Sequence, residues 1–183
     1  MGKALVILTD GVEEIEAVTI VDVLRRGGVQ VTTASIGASA EVAGAHGMAL
    51  KADALFADVQ DGLYDALVLP GGPGTANLRQ SKAVLERLRR QKEDGGLICA
   101  ICAAPAVLVE AGVLDEDQHV TCYPSVATEL DRPCANVPVV ADGAVITGQA
   151  PGSAMLFALV VLKAIVGEPG AIKVARGLVT DVL

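Results

Sequence analysis

The strongest constraint on the fold is a set of short runs that are apolar along their whole length and alternate with helical patterns. Lys3–Leu8, Ala66–Leu69 and Leu97–Ile101 are such runs. A strand with no polar alternation must bury both faces, which is the signature of a parallel sheet covered by helices on either side. Between these runs, residues 12–26 read as a helix stopped by Gly27-Gly28, and residues 81–92 as an amphipathic helix with Val84, Leu85 and Leu88 inward. Residues 29–35 form a further predicted strand, and the Gly-rich stretch 41–51 a hairpin beside the main sheet. Residues 120–123, 137–140 and 145–147 read as short strands, and 152–166 and 171–183 as mainly helical. The βαβ alternation predicts an α/β doubly wound, mostly parallel sheet with helices on both faces. No linker or repeat interrupts it, so residues 1–183 are expected to form one domain.

Charge and cysteine usage narrow the function. The net charge is −8, which argues against nucleic acid, whose affinity comes largely from Lys and Arg on phosphates. The basic cluster Arg87, Arg89, Arg90 and Lys92 is interleaved with Glu86, Glu93 and Asp94 and reads as a solvated helix face. The apolar stretch near 154–167 is too short to span a bilayer and is interrupted by Lys163. No signal-peptide pattern precedes the first strand, and the four cysteines lack the spacing of a disulfide framework. A cytoplasmic protein with reduced thiols and no membrane partner is expected.

The chemistry points to Cys102. The segment Gly95-Gly96-Leu97-Ile98-Cys99-Ala100-Ile101-Cys102-Ala103-Ala104-Pro105 runs from a turn through a buried strand into a helix start. Pro105 suits the first helical turn and Gly112 the helix stop. Cys102 therefore sits at a sharp strand-to-helix turn among small residues, the geometry of a nucleophile elbow. A helix N-terminus behind it is expected to favour the thiolate. In an open sheet, ligands bind beyond the carboxyl ends of the strands. Asp10-Gly11, the Pro70-Gly71-Gly72-Pro73-Gly74 loop and Cys102 converge there.

At about 100° per residue, Glu16 falls on the inward stripe between Val12, Ile20 and Val23, while Glu13 and Glu14 point elsewhere. Two readings are open for Glu16. It is a desolvated carboxyl that stays protonated and donates a hydrogen bond, or a helix-edge glutamate that snorkels out.

Taken together these segments resemble the ThiJ/PfpI superfamily, in the branch of the Parkinson-disease protein deglycase and its bacterial relatives. The resemblance is carried by Gly11-Val12-Glu13-Glu14-Ile15-Glu16-Ala17-Val18, Val21-Asp22-Val23-Leu24-Arg25-Arg26-Gly27-Gly28, Tyr64-Asp65-Ala66-Leu67-Val68-Leu69-Pro70-Gly71-Gly72, Ala100-Ile101-Cys102-Ala103-Ala104-Pro105 and Gly148-Gln149-Ala150-Pro151-Gly152-Ser153-Ala154. It implies a flavodoxin-like fold working as a homodimer. It makes Cys102 the reactive cysteine and Glu16 the acid hydrogen-bonded to it. Gly72 and Ala103 become oxyanion-type N–H donors, and Arg26 and Pro151 line the pocket. Two positions depart from the pattern. Tyr123 stands where many relatives carry a histidine, and His46 where an arginine is found.

The implied activity is cofactor-free conversion of small reactive carbonyls, such as methylglyoxal or its glycated adducts, to hydroxy acids. A redox sensor or redox-regulated chaperone using the same cysteine is the alternative. A Cys–His peptidase requires a histidine near the nucleophile. His119 is expected far from it, at the other end of its strand. Cys99 and Cys102 form a CxxC only in spacing, because a strand places their Cα atoms roughly 10 Å apart, beyond the ~7 Å limit for a disulfide. Cys99, Cys102, Cys122 and Cys134 lack zinc-site spacing, and the Gly71–Gly74 segment lacks the Lys-Ser/Thr of a phosphate loop. No metal is expected. Cys122 and Cys134 read most simply as small structural residues.

Overall fold

The computed structural model describes residues 1–181. In chain order the elements are β1 (Lys3–Leu8), α1 (Glu14–Arg26), β2 (Gln30–Ser35), β3 (Glu41–Ala43), β4 (Ala49–Lys51), β5 (Ala54–Leu55), α2 (Phe56–Val59) and β6 (Ala66–Leu69). Then follow α3 (Thr75–Gln80), α4 (Lys82–Glu93), β7 (Leu97–Ile101), α5 (Pro105–Ala111), β8 (Val139–Asp142), β9 (Val145–Gly148), α6 (Ala154–Val166) and α7 (Glu168–Gly177). A seven-stranded sheet has the order β5-β2-β1-β6-β7-β9-β8, parallel except for the edge strand β8. β3 and β4 pair antiparallel beside it. The fold is flavodoxin-like α/β.

The apolar runs work as expected because alternate residues feed two cores. From β1, Ala4, Val6 and Leu8 enter a core shared with α1, α6 and α7, whereas Leu5 and Ile7 enter one shared with α2–α5. β7 divides likewise, Cys99 and Ile101 on one face and Ile98 and Ala100 on the other. At ~25 cal/mol per Å² of apolar surface removed from water, burying both faces of these strands adds to the gain on folding. Ser81 caps α4, its side chain accepting from the Val84 N–H. Gly112 ends α5 in the left-handed conformation.

Several expectations are corrected. Residues 120–123 are not a strand: Val120 makes only an isolated bridge to Cys134, and the Thr121 N–H goes to the Thr147 hydroxyl instead of a ladder. The strand expected at 137–140 runs from Val139 to Asp142. The last helix begins earlier, at Glu168 with Pro169 in its first turn, and ends at Gly177; the predicted extension to 183 partly lies outside the described residues. The short helix α3 was not anticipated. Arg87 is not on a solvated face: it is 2% exposed, with its guanidinium 5.9 Å from the Tyr64 ring centroid and bonded to the Gly62 carbonyl. Burial lowers its pKa. Among the described residues no helix is long and apolar enough to cross a membrane.

Candidate active site

The carboxyl ends of β1, β6, β7 and β9 bring the site together. Cys102 follows β7 with φ of 64°, a left-handed conformation rare for a residue with a side chain. Such a conformation costs on the order of 1–3 kcal/mol and persists only where the surroundings impose it. Here both backbone groups are pinned. The Cys102 N–H donates to the Gly148 carbonyl at 2.9 Å, and its carbonyl accepts from the Tyr123 N–H at 2.8 Å. Cys102 itself is 7% exposed.

Glu16 lies on the first turns of α1 and is fully buried. Its Oε2 accepts the Gly71 N–H at 2.6 Å. Oε1 is buried with no hydrogen-bond partner, and the carboxyl as a whole interacts with the Cys102 thiol. Only glycine permits this convergence. A Cβ on Gly71 would lie 2.6 Å from the Cys102 Cβ and 2.9 Å from Glu16 Oε2. Gly72 has φ of 100°, and a Cβ there would lie 2.5 Å from the Gly11 carbonyl oxygen. The Gly71 carbonyl is tied to the Glu13 N–H at 3.0 Å, and the Gly72 carbonyl to the Thr75 hydroxyl at 2.9 Å. The Gly71 clamp on Glu16 was missed from sequence, although the Pro-Gly-Gly run signalled a close backbone approach.

Electrostatics couple the two groups. Burial pushes the Glu16 carboxyl up to about 7, against the Gly71 N–H and Cys102 hydrogen bonds that favour its charged form. Burial also pushes the Cys102 thiol up to about 12. The Glu16 charge and hydrogen bond add to that rise, while the N–H groups of Gly72 and Ala103 oppose it. Burial and the Glu16 charge oppose the Cys102 thiolate, which the short helix α5 (Pro105–Ala111) and the two N–H groups favour. Between about 7 and about 12 the pair holds one proton.

The other predicted site residues divide. Gly72 and Ala103 present N–H groups to the sulfur. Tyr123, 42% exposed, borders Cys102 through the backbone bond above. Pro151 opens a short 3₁₀ turn just after Gly148, on the same rim. His46 is elsewhere engaged, its Nδ1 3.1 Å from Glu14 Oε2 and 3.5 Å from a Glu13 oxygen. Arg26 is at the far end of α1, paired with Asp22 at 2.5 Å. At 1.5 Å per residue that is about 15 Å along the axis from Glu16, so within one chain Arg26 does not reach the sulfur.

Glu13 and Glu14 do point away from Glu16, but both are buried, beneath the β3–β4 hairpin. Glu14 Oε1 accepts the N–H groups of His46 and Met48. Burial works to raise the Glu14 pKa, but these bonds prevail and hold it at about 2. The bond to Glu14 raises the pKa of His46. Ligand atoms of Glu13, Glu14 and His46 lie within 4.8 Å of one another. Glu14 is already committed to the hairpin, so the cluster reads as a clamp. His119 pairs with Asp142 at 3.2 Å, at the opposite end of the sheet. A depression of about 920 Å³ around Gly2, Tyr64, Asp65 and Leu97 also opens at that amino-terminal end, and no cysteine lines it.

The chain belongs to the DJ-1/PfpI family, whose profile matches residues 2–164. It is 39% identical over 170 residues to the Caenorhabditis elegans protein named glutathione-independent glyoxalase DJR-1.2, covering 90% of this chain and 89% of that one. It is 37% identical over 181 residues to Protein DJ-1 homolog B of Arabidopsis thaliana, 97% of this chain but only 41% of that longer relative. Oxidized Toxoplasma gondii DJ-1 superposes with a TM-score of 0.95 at 35% identity, over 99% of this chain and 100% of that one.

Proposed function

We propose that the chain is a cofactor-independent enzyme that converts small 2-oxoaldehydes such as methylglyoxal to hydroxy acids. The observation that carries this reading is the buried Glu16 carboxyl, one oxygen unpartnered, coupled to a cysteine on a strained elbow. With the shared proton on Glu16, the Cys102 sulfur adds to the aldehyde carbon. The N–H groups of Gly72 and Ala103 hold the oxygen as charge develops, and Glu16 protonates it to give the hemithioacetal. Glu16, now a carboxylate, takes the proton from the former aldehyde carbon to give an enediol and returns a proton to the adjacent carbon, while the hydroxyl proton on the former aldehyde oxygen passes to the neighbouring oxygen. The product is a thioester of lactate. Water cleaves it, releasing lactate and the thiol. The glyoxalase name of the worm relative supports this class of substrate. The same addition to glycated amines would constitute deglycase activity.

A homodimer is part of this reading. Ile15 and Val18 on α1 are 57% and 49% exposed, and Met48 on the neighbouring hairpin 57%, an apolar face that a two-fold pairing would cover. A second chain is also the route by which an Arg26 could approach the site. A cytoplasmic location fits four unbridged cysteines. Oxidation sensing through Cys102 is the second reading, favoured by a relative solved in an oxidized form. Lactate production from methylglyoxal in amine-free, thiol-free buffer tests the first reading. Turnover is expected to vanish in Cys102→Ser. Equal rates in wild type and variant would refute it, and a wild type without turnover would leave sensing as the better account.

A further inference from the structure

Beside the elbow lies a second thiol group that the proposed reaction does not use. Cys122 Sγ is 2.9 Å from Cys134 Sγ, and both are free thiols. The chain is tied down on both sides of this contact. Val120 bridges to Cys134, and the Ala135 N–H donates to the Val120 carbonyl at 2.8 Å. Thr121 donates its N–H to the Thr147 hydroxyl at 2.9 Å and its own hydroxyl proton to the Val137 carbonyl at 2.8 Å. The sulfurs are therefore held within about 1 Å of the ~2.05 Å bond length of a disulfide. Cys122 is 3% exposed and packs with Ala106, Val120 and Leu130, whereas Cys134 is partly exposed and offers a reagent its point of entry. The segment between them carries Tyr123, bonded to the Cys102 carbonyl, and Glu129, bonded to Arg79 at 2.7 Å.

We propose that Cys122 and Cys134 are a redox-active dithiol site that takes a low-molecular-weight disulfide as oxidant, and that closing the bridge fastens the Tyr123 segment against the Cys102 elbow. The Cys134 thiolate attacks one sulfur of the oxidant, whose S–S bond breaks to release one thiolate. Cys122 gives its proton to that thiolate and attacks the Cys134 sulfur. The mixed disulfide breaks and the second small thiol leaves. The two protein thiols lose two electrons and two protons, and the oxidant gains both. Burial holds the free Cys122 thiol up at about 12, so proton transfer to the departing thiolate belongs to the second step.

The test uses the full chain carrying Cys102→Ser, so that the elbow thiol does not enter the readout. The protein is equilibrated with excess glutathione disulfide, alkylated, and cut after glutamates, which severs the chain at Glu129 between the two cysteines. The expected result is that the Cys122 and Cys134 peptides run as one linked species, separated by reduction and absent from a Cys134→Ser version. Recovery of both thiols alkylated, or of either as a stable glutathione adduct, overturns the dithiol site. Wild type is then alkylated in the reduced and the bridged state. A several-fold change in the rate at Cys102 is expected. An unchanged rate, or a disulfide containing Cys102, overturns the coupling to the elbow.

Discussion

Replacing Glu16 by Gln separates what the carboxyl does for catalysis from what it costs the fold. Glutamine keeps the shape, accepts the Gly71 N–H through its carbonyl, and puts an N–H donor at the unpartnered Oε1 position. It cannot ionise. In the native protein burial moves the Glu16 pKa from 4.5 to about 7. At about 1.4 kcal/mol per pKa unit, ionisation of a group so shifted costs about 3 kcal/mol of stability. The sign follows from proton counting. Below 4.5 the carboxyl is protonated whether the chain is folded or not, and wild type and variant differ by a constant. Between 4.5 and about 7 the folded chain keeps a proton that the unfolded chain has lost, so wild-type stability falls as pH rises. The variant has no such fall. Urea unfolding at fixed protein concentration should therefore show the variant gaining on wild type by about 3 kcal/mol between pH 4.5 and pH 7.5, while its turnover is lost. Parallel stability curves would refute the assignment of a desolvated, proton-holding Glu16.

Turnover of methylglyoxal by wild type should rise about tenfold per pH unit below about 7 and level off above it, because the active pair has lost one proton there; a flat profile from pH 5 to 8 would remove the pair from the rate-determining chemistry. Gly72→Ala places a Cβ 2.5 Å from the Gly11 carbonyl oxygen at φ of 100°, so chemical denaturation should report a loss of roughly 1–3 kcal/mol, and an unchanged midpoint would contradict the close packing of this loop. Val18→Glu puts a charge on the exposed apolar face of α1 and should convert a dimer to a monomer in sedimentation equilibrium at micromolar concentration; a monomeric wild type would sink the dimer itself.

Some of this molecule can be read without any fold. β1, β6 and β7 are legible because a strand buried on both faces has no polar residues to confuse its pattern, and their predicted limits coincide with the observed ones. The bend at Cys102 is legible because Pro105 and Gly112 bracket a helix through local backbone preferences. Periodicity also places Glu16 inward. Periodicity stops at direction, however, and says nothing of what covers a helix face. Glu13 and Glu14 are buried by a hairpin more than two dozen residues away, and Arg87 by the turn around Gly62 and Tyr64. The ionisation of Cys102 follows the same rule. Its sequence neighbours favour the thiolate, but desolvation and a carboxyl from another element raise the thiol. The meeting of Cys122 with Cys134 depends on one isolated bridge and two threonine bonds. Local backbone preference and hydrophobic period act over a few residues and survive in the sequence. Desolvation and charge coupling act through space, between groups that only tertiary packing brings together.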